Sequence, residues 1–117
     1  MDLQTLNNYC LAKKGVRGTY PFGEGALVFK VASKMFALVA EDKHPFTVSL
    51  KCDPFIAENL REQHAAVIPG YHLNKKHWNT VIVDGSIEDE ELKSMIDHSY
   101  ELVFRGLKKA EKEELEG

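Results

Sequence analysis

The sequence predicts an α+β fold: a two-layer sandwich of a mostly antiparallel sheet with its helices on one face. Three observations lead there. Four strand-like runs crowd residues 19–51, and two of them flank "ASK" as a hairpin. A fifth run, "WNTVIVDG", lies between two helical patterns. Along the strands apolar residues recur at every second position, which makes one sheet face apolar and leaves the other mixed and partly open. The predicted order is α-β-β-β-β-α-β-α.

The elements follow in turn. "DLQTLNNYCLAKKG" reads as a helix capped by Asp2, with Leu3, Leu6, Cys10 and Leu11 on one face and Gly15 as a left-handed stop. "TYPF" reads as an edge strand, because Pro21 has no N–H for a ladder. In "ALVFKV", Leu27, Phe29 and Val31 oppose Val28 and Lys30; "MFALVAE" follows. In "HPFTVSLK", Phe46, Val48 and Leu50 take one face, and Thr47, Ser49 and Lys51 the other. "CDPFIAENLREQH" opens a second helix, with Asp53 as cap and Pro54 at the first helical position. "AAVIPGYHLNKKH" is a long connection without periodicity, the kind of loop that is often functional. The last helix, "SIEDEELKSMIDHSYELVFRGL", starts with a Ser86–Asp89 capping box and carries a stripe of Leu92, Met95, Ile96, Ser99, Leu102 and Val103. Ser99 and Tyr100 are expected to pack it onto the sheet. One domain is expected over residues 1–110, then a charged tail over 111–117 that extends or frays from the last helix.

Composition narrows the function. At 117 residues and 44% hydrophobic, the chain holds a single core and is not disordered. Its net charge of −3 argues against a strongly basic nucleic-acid binder, but the charge is uneven. Residues 1–87 carry ten Lys and Arg against eight Asp and Glu; residues 88–117 carry five against ten. The acidity belongs to the last helix and tail, and the remainder is mildly basic. Cys10 and Cys52 read as buried, reduced thiols. No signal peptide and no membrane-spanning run are visible, so a cytoplasmic location is expected.

The densest chemistry lies in "YHLNKKHWNTV", Tyr71 to Val81. This block, with "VSLKCDP", "DGSIEDEEL" and "HSYELV", resembles the signature blocks of the YjbR (MmcQ/YjbR) family over nearly the whole chain. The matching positions are Lys51, Asp53, Pro54, Pro69, Tyr71, His72, Leu73, Asn74, Lys75, His77, Trp78 and Asn79. The resemblance implies a compact α/β domain. Family members are commonly described as DNA-binding, partly by likeness to a double-wing DNA-binding domain. No catalytic residues are established for the family, so none carries over.

The leading expectation is therefore non-enzymatic DNA binding through a basic loop. Lys75 and Lys76 would neutralise phosphates, with His72 and His77 as further donors. Asn74 and Asn79 would meet phosphate or base edges, and Tyr71 or Trp78 would stack on unpaired bases. Lys30 and Lys34 on the hairpin, and Lys51 on the open face, would extend the patch. Pro69, Tyr71 and Trp78 would anchor the loop, Trp78 in the core. The alternative is a small anionic ligand held on the open sheet face near Lys51 and His72, or a protein partner drawn to Glu88, Asp89, Glu90 and Glu91. No cofactor or metal is expected: His72 and His77 match no zinc spacing. Ser49, His72 and Asp84 could be named as a triad, but no nucleophile elbow supports it. Cys52 beside Asp53 at a helix start invites a lowered pKa, though burial is the simpler expectation.

Overall fold

The computed structural model describes residues 1–116. Helix α1 (Leu3–Leu11) leads into strands β1 (Val16–Thr19), β2 (Ala26–Val31), β3 (Lys34–Ala40) and β4 (Thr47–Lys51). Helix α2 (Pro54–Gln63), strands β5 (Val67–Pro69) and β6 (Trp78–Ile82), and helices α3 (Asp89–Arg105) and α4 (Lys109–Glu116) complete it. One six-stranded sheet runs β1-β2-β3-β4-β6-β5, and all of its neighbours are antiparallel. The α+β class, the hairpin and the antiparallel sheet are as the sequence predicts.

The predicted alternation holds. Leu27, Phe29, Val31, Val39, Val48, Leu50 and Val81 enter the core together with Leu6 and Cys10 of α1 and Leu92, Ile96 and Val103 of α3. Asp2 caps α1 by accepting from the Thr5 amide at 2.8 Å, and Asp53 caps α2 through the Phe55 and Ile56 amides. Gly15 adopts φ +75° after α1, and a side chain there would also strike Leu115 of α4.

Several local expectations are corrected. The first strand is "VRGT", not "TYPF": Tyr20 to Phe22 form a turn closed by the Gly23 amide on the Tyr20 carbonyl. Pro21 suits that turn better than a ladder. The connection after α2 contains strand β5, three residues long and on the sheet edge, where Pro69 needs no donor. The capping box does not form; Ser86 donates to Asp84 instead, and Glu88 takes the N-cap position without a side-chain bond. After Gly106 the chain turns into the separate helix α4, whose Leu115 packs on the core. Of the tail expected over 111–117, Gly117 lies outside the described residues. Among the described residues, no helix is long and apolar enough to cross a membrane.

Two polar ties hold the helix layer to the sheet and to itself. The Ser99 hydroxyl, fully buried, accepts from the Lys51 amide at 2.9 Å and donates to the Phe36 carbonyl at 2.6 Å. It spans the place where β3 and β4 stop pairing, just past Ala37 and Leu50. Asp97 accepts from the Tyr9 hydroxyl at 2.7 Å and pairs with Lys13, fastening α3 to α1. Burial raises the Asp97 pKa, but the bonds from Lys13 and Tyr9 outweigh it and hold the carboxyl below its usual value. Burial, then Asp97, pushes the Tyr9 phenol up to about 12.

Ser99→Ala is expected to leave the Lys51 amide and Phe36 carbonyl unpaired and to cost roughly 2–3 kcal/mol in urea unfolding. A loss below about 0.5 kcal/mol, typical of an indifferent surface site, would refute that role. Because the native pKa of Asp97 is depressed, its stabilisation is present above the unfolded pKa and lost as pH falls through the folded one. Asp97→Asn should therefore lower the Tm by a few degrees at neutral pH. Melts at successively lower pH should bring the two proteins together in acid; a constant gap would contradict the pairing.

Candidate functional site

The strand register gathers cations at one end of the open sheet face. Arg17 pairs across the ladder with Lys30, Lys30 with Met35, and Lys51 with Trp78. Cross-strand partners share a face, and the alternate positions Val16, Phe29, Val31 and Leu50 pack into or against the core. Lys34 opens β3 at the same end but pairs with Val31, so it stands on the helix-side edge, where it lines a cleft with Met35, Lys51, Trp78 and the last turn of α3. The loop 70–77 emerges there too, because β5 ends at Pro69, opposite Asn79, and β6 begins at Trp78. Arg17, Lys30, Lys34, Lys51, Lys75 and Lys76 form no ion pair among the described residues. Arg17 was not singled out in the sequence; its signal was the period of two in "VRGT".

The loop is built by its own polar groups. Asn74 accepts from the Lys76 amide at 2.9 Å, a local turn, and the His77 amide reaches the Asn74 carbonyl at 3.2 Å. The Lys75 ammonium donates to the Gly70 carbonyl at 3.1 Å. Gly70 donates its amide to the Trp78 carbonyl, and a Cβ there would lie 2.7 Å from the Trp78 Cβ, so a larger residue would push the loop off β6. The Cys52 amide donates to the His77 carbonyl, tying the loop's exit to β4.

Asn79 is not a surface contact residue: it is 3% exposed and faces the helix layer beside Leu50. Its Oδ1 accepts from Arg61 Nε at 2.7 Å. The Arg61 guanidinium also donates to the Lys75 and Trp78 carbonyls, so one side chain of α2 clamps the loop's return. Arg61 was missed in the sequence. Its signal was the one-turn spacing from Ala57, which is buried. Trp78 is half-buried but stands in the cleft with Lys34 and Lys51, outside the hydrophobic core; it anchors the loop through its backbone.

A larger cleft of about 560 Å³ runs on the same sheet face from Ser49 and Thr80 toward the end opposite the cations, reaching Ala26, Ala40 and Thr47. Ser49 and Thr80 form its floor, their hydroxyls 2.8 Å apart, and the Tyr71 amide donates to Thr80 Oγ1 at 3.0 Å. Leu38, Ile68 and Ile82 are its apolar lining. Tyr71, 59% exposed, and His72 form the loop side, with ring centroids 4.1 Å apart and the Lys43 ammonium 5.5 Å from the Tyr71 ring. His72 holds a left-handed φ of 60°, which histidine tolerates better than most residues. Lys51 does not line this cleft, so the pair Lys51 and His72 expected to hold an anion is not brought together. Nor is the nominal triad: Asp84 accepts from Ser86 and stands apart from Ser49 and His72.

A smaller apolar cavity of about 230 Å³ lies between α2 and α3, with Cys52 and His98 among its lining. Burial, reinforced by Asp53, pushes the Cys52 thiol up to about 11, and burial pushes Cys10 up to about 12. Neither is an activated nucleophile. His98 Nε2 accepts from the Asp53 amide at 3.2 Å, which occupies it with the start of α2.

A six-stranded antiparallel sheet with one face backed by helices and the other edged by free cations defines a small α+β domain of the YjbR type. A model of the YjbR family matches residues 11–102, and the chain belongs to that family. It is 42% identical over 101 residues to the uncharacterized protein YjbR of Escherichia coli K12, covering 86% of each chain. It is 34% identical to the uncharacterized protein YbdF of Escherichia coli O157:H7, covering 93% of each. Among solved structures, the Deinococcus radiodurans protein DR2400, with a DUF419 domain, superposes with a TM-score of 0.89 at 43% identity, over 97% of this chain and 86% of that one. A Pseudomonas syringae protein, structural-genomics target PsR293, superposes at 0.76 with 29% identity, over 87% and 98%.

Arg61→Ala is expected to release the loop's return while the sheet persists. Hydrogen exchange at Lys75–Trp78 should quicken by about tenfold or more relative to the β2–β3 ladder. Unchanged protection there would show that Arg61 is not the clamp.

Proposed function

We propose that this protein binds DNA, without catalysing a reaction, through the basic end of its open sheet face. The observation that carries the reading is the row Arg17–Lys30 with Lys51 beside Trp78, extended by Lys34, Lys75 and Lys76 at one end of the sheet. Cations without carboxylate partners attract a polyanion and release its counterions on contact. Glu111 of α4, held by the Ser33 amide next to Lys34, weakens the hairpin end of the patch, but the acidic start of α3 is remote. The helix has 17 residues and ends beside Lys34 and Trp78, so Asp89, Glu90 and Glu91 lie about 20 Å or more away. At physiological ionic strength that separation exceeds the screening length of roughly 8 Å. The non-enzymatic part of the reading is supported by the two unactivated thiols and the dispersed triad.

Fluorescence anisotropy with a short labelled oligonucleotide tests it. Lys34→Ala combined with Lys76→Ala should weaken binding about tenfold at low salt and reduce the slope of log K against log salt by about 2. Absence of binding by the parent protein at about 50 mM salt would overturn the reading, and an unchanged slope would remove these two lysines from the interface.

A further inference from the structure

We infer that the Ser49–Thr80 cleft takes an unpaired nucleobase, so that the protein prefers single-stranded to duplex DNA; this rests on the DNA reading above. The first observation is a hydrogen-bond count. Ser49 and Thr80 hold two hydroxyl hydrogens and share one mutual bond, while Thr80 accepts the Tyr71 amide. Whichever hydroxyl donates in that bond, one hydrogen remains, and no further protein acceptor meets either oxygen among the described residues. The cleft floor therefore offers a donor to a ligand carbonyl or ring nitrogen.

The second observation is the charge of the rim. Glu24 and Asp42 line the cleft with Lys43 and His72. Two carboxylates beside one ammonium repel a phosphate and accept from an exocyclic amine. The third is shape. Leu38, Ile68 and Ile82 supply apolar lining around the hydroxyls, and Tyr71 and His72 supply exposed rings at its edge. A volume of about 560 Å³ falls within the range of ligand clefts, roughly 300–1,000 Å³. A flat, neutral group with both a carbonyl and an amine fits these three features, and an unpaired cytosine is one such group. The cleft shares its sheet face with the basic row: Ser49 and Thr80 sit two residues along β4 and β6 from Lys51 and Trp78. A strand whose phosphates lie on the cations has its bases within reach of the cleft.

The test uses the full chain and three probes: a short oligodeoxycytidylate, an abasic strand of the same length, and a duplex. Single-stranded binding should be about tenfold tighter for the cytidylate than for the abasic strand, the value of roughly one stacked base. Tyr71→Ala removes an exposed ring, and Ala40→Phe fills the cleft from its half-buried wall. Each should bring that ratio near one, and Ala40→Phe should leave the abasic affinity unchanged. Equal affinities for the two strands in the parent protein, a ratio that survives both substitutions, or tighter binding of duplex would overturn the cleft proposal while the basic row stands. Failure of all three probes to bind at low salt would overturn both.

Discussion

The arrangement depends on one buried hydroxyl. Strands β3 and β4 pair as far as Ala37 and Leu50 and then part, which would orphan the Phe36 carbonyl and the Lys51 amide. Ser99 fills the gap by bonding both. A serine in mid-helix is ordinarily neutral or unfavourable, because its hydroxyl competes with the helix's own backbone. Here the competition is redirected to another element. The consequence reaches the surface: with the strand ends held apart by the helix, Lys34, Met35, Lys51 and Trp78 border a cleft where a closed ladder would have brought the strands together. Packing inside the molecule thus sets the spacing of cations outside it.

A second constraint fixes the loop. Its residues are polar, yet much of that polarity is spent internally: Asn74 on its own turn, Lys75 on the Gly70 carbonyl, Asn79 on Arg61. An exposed loop held by its own side chains keeps a defined shape at little entropic cost on binding. The strained φ of His72 is consistent with that over-determination, since the Tyr71 amide is fixed to Thr80 one residue earlier.

Much of the fold was legible because alternation and capping are local signals. Strands β2, β3, β4 and β6, the Asp53–Pro54 helix start and the stripe on α3 all follow from residue spacing. Strand β5 was not legible, for three residues ending in proline carry no period. Strand β1 was misplaced because the aromatic residues of "TYPF" outweigh the plainer "VRGT", while the pairing that decides between them, Val16 with Val31, is long-range. The cations of the site were legible by type; that Lys51 and His72 belong to different clefts required the register. Asn79 is the instructive miss. Judged by residue type it belongs on the surface, but the period of two places it with Val81, on the helix side. The same period would have found Arg17.

The bonds that shape the loop also limit what it can read. Sequence discrimination in DNA comes from base-edge contacts by side chains such as Asn, Gln and Arg, whereas phosphate contacts carry no sequence information. Of the two asparagines proposed from the sequence, Asn79 is buried on Arg61 and Asn74 has its side-chain oxygen on the Lys76 amide, and Arg61 is turned inward to the Lys75 and Trp78 carbonyls. What remains uncommitted among the described residues is Arg17 with Lys30, Lys34, Lys51 and Lys76, and the lysine ammonium groups act as point charges. A surface of this composition binds DNA by charge and distinguishes little along its backbone. Any discrimination would have to come from the cleft beside it, where the uncommitted hydroxyl of the Ser49–Thr80 pair and the carboxylates of Glu24 and Asp42 stand within one strand's reach of the basic row. Charge and selectivity would then occupy adjoining parts of one sheet face, two residues apart along β4.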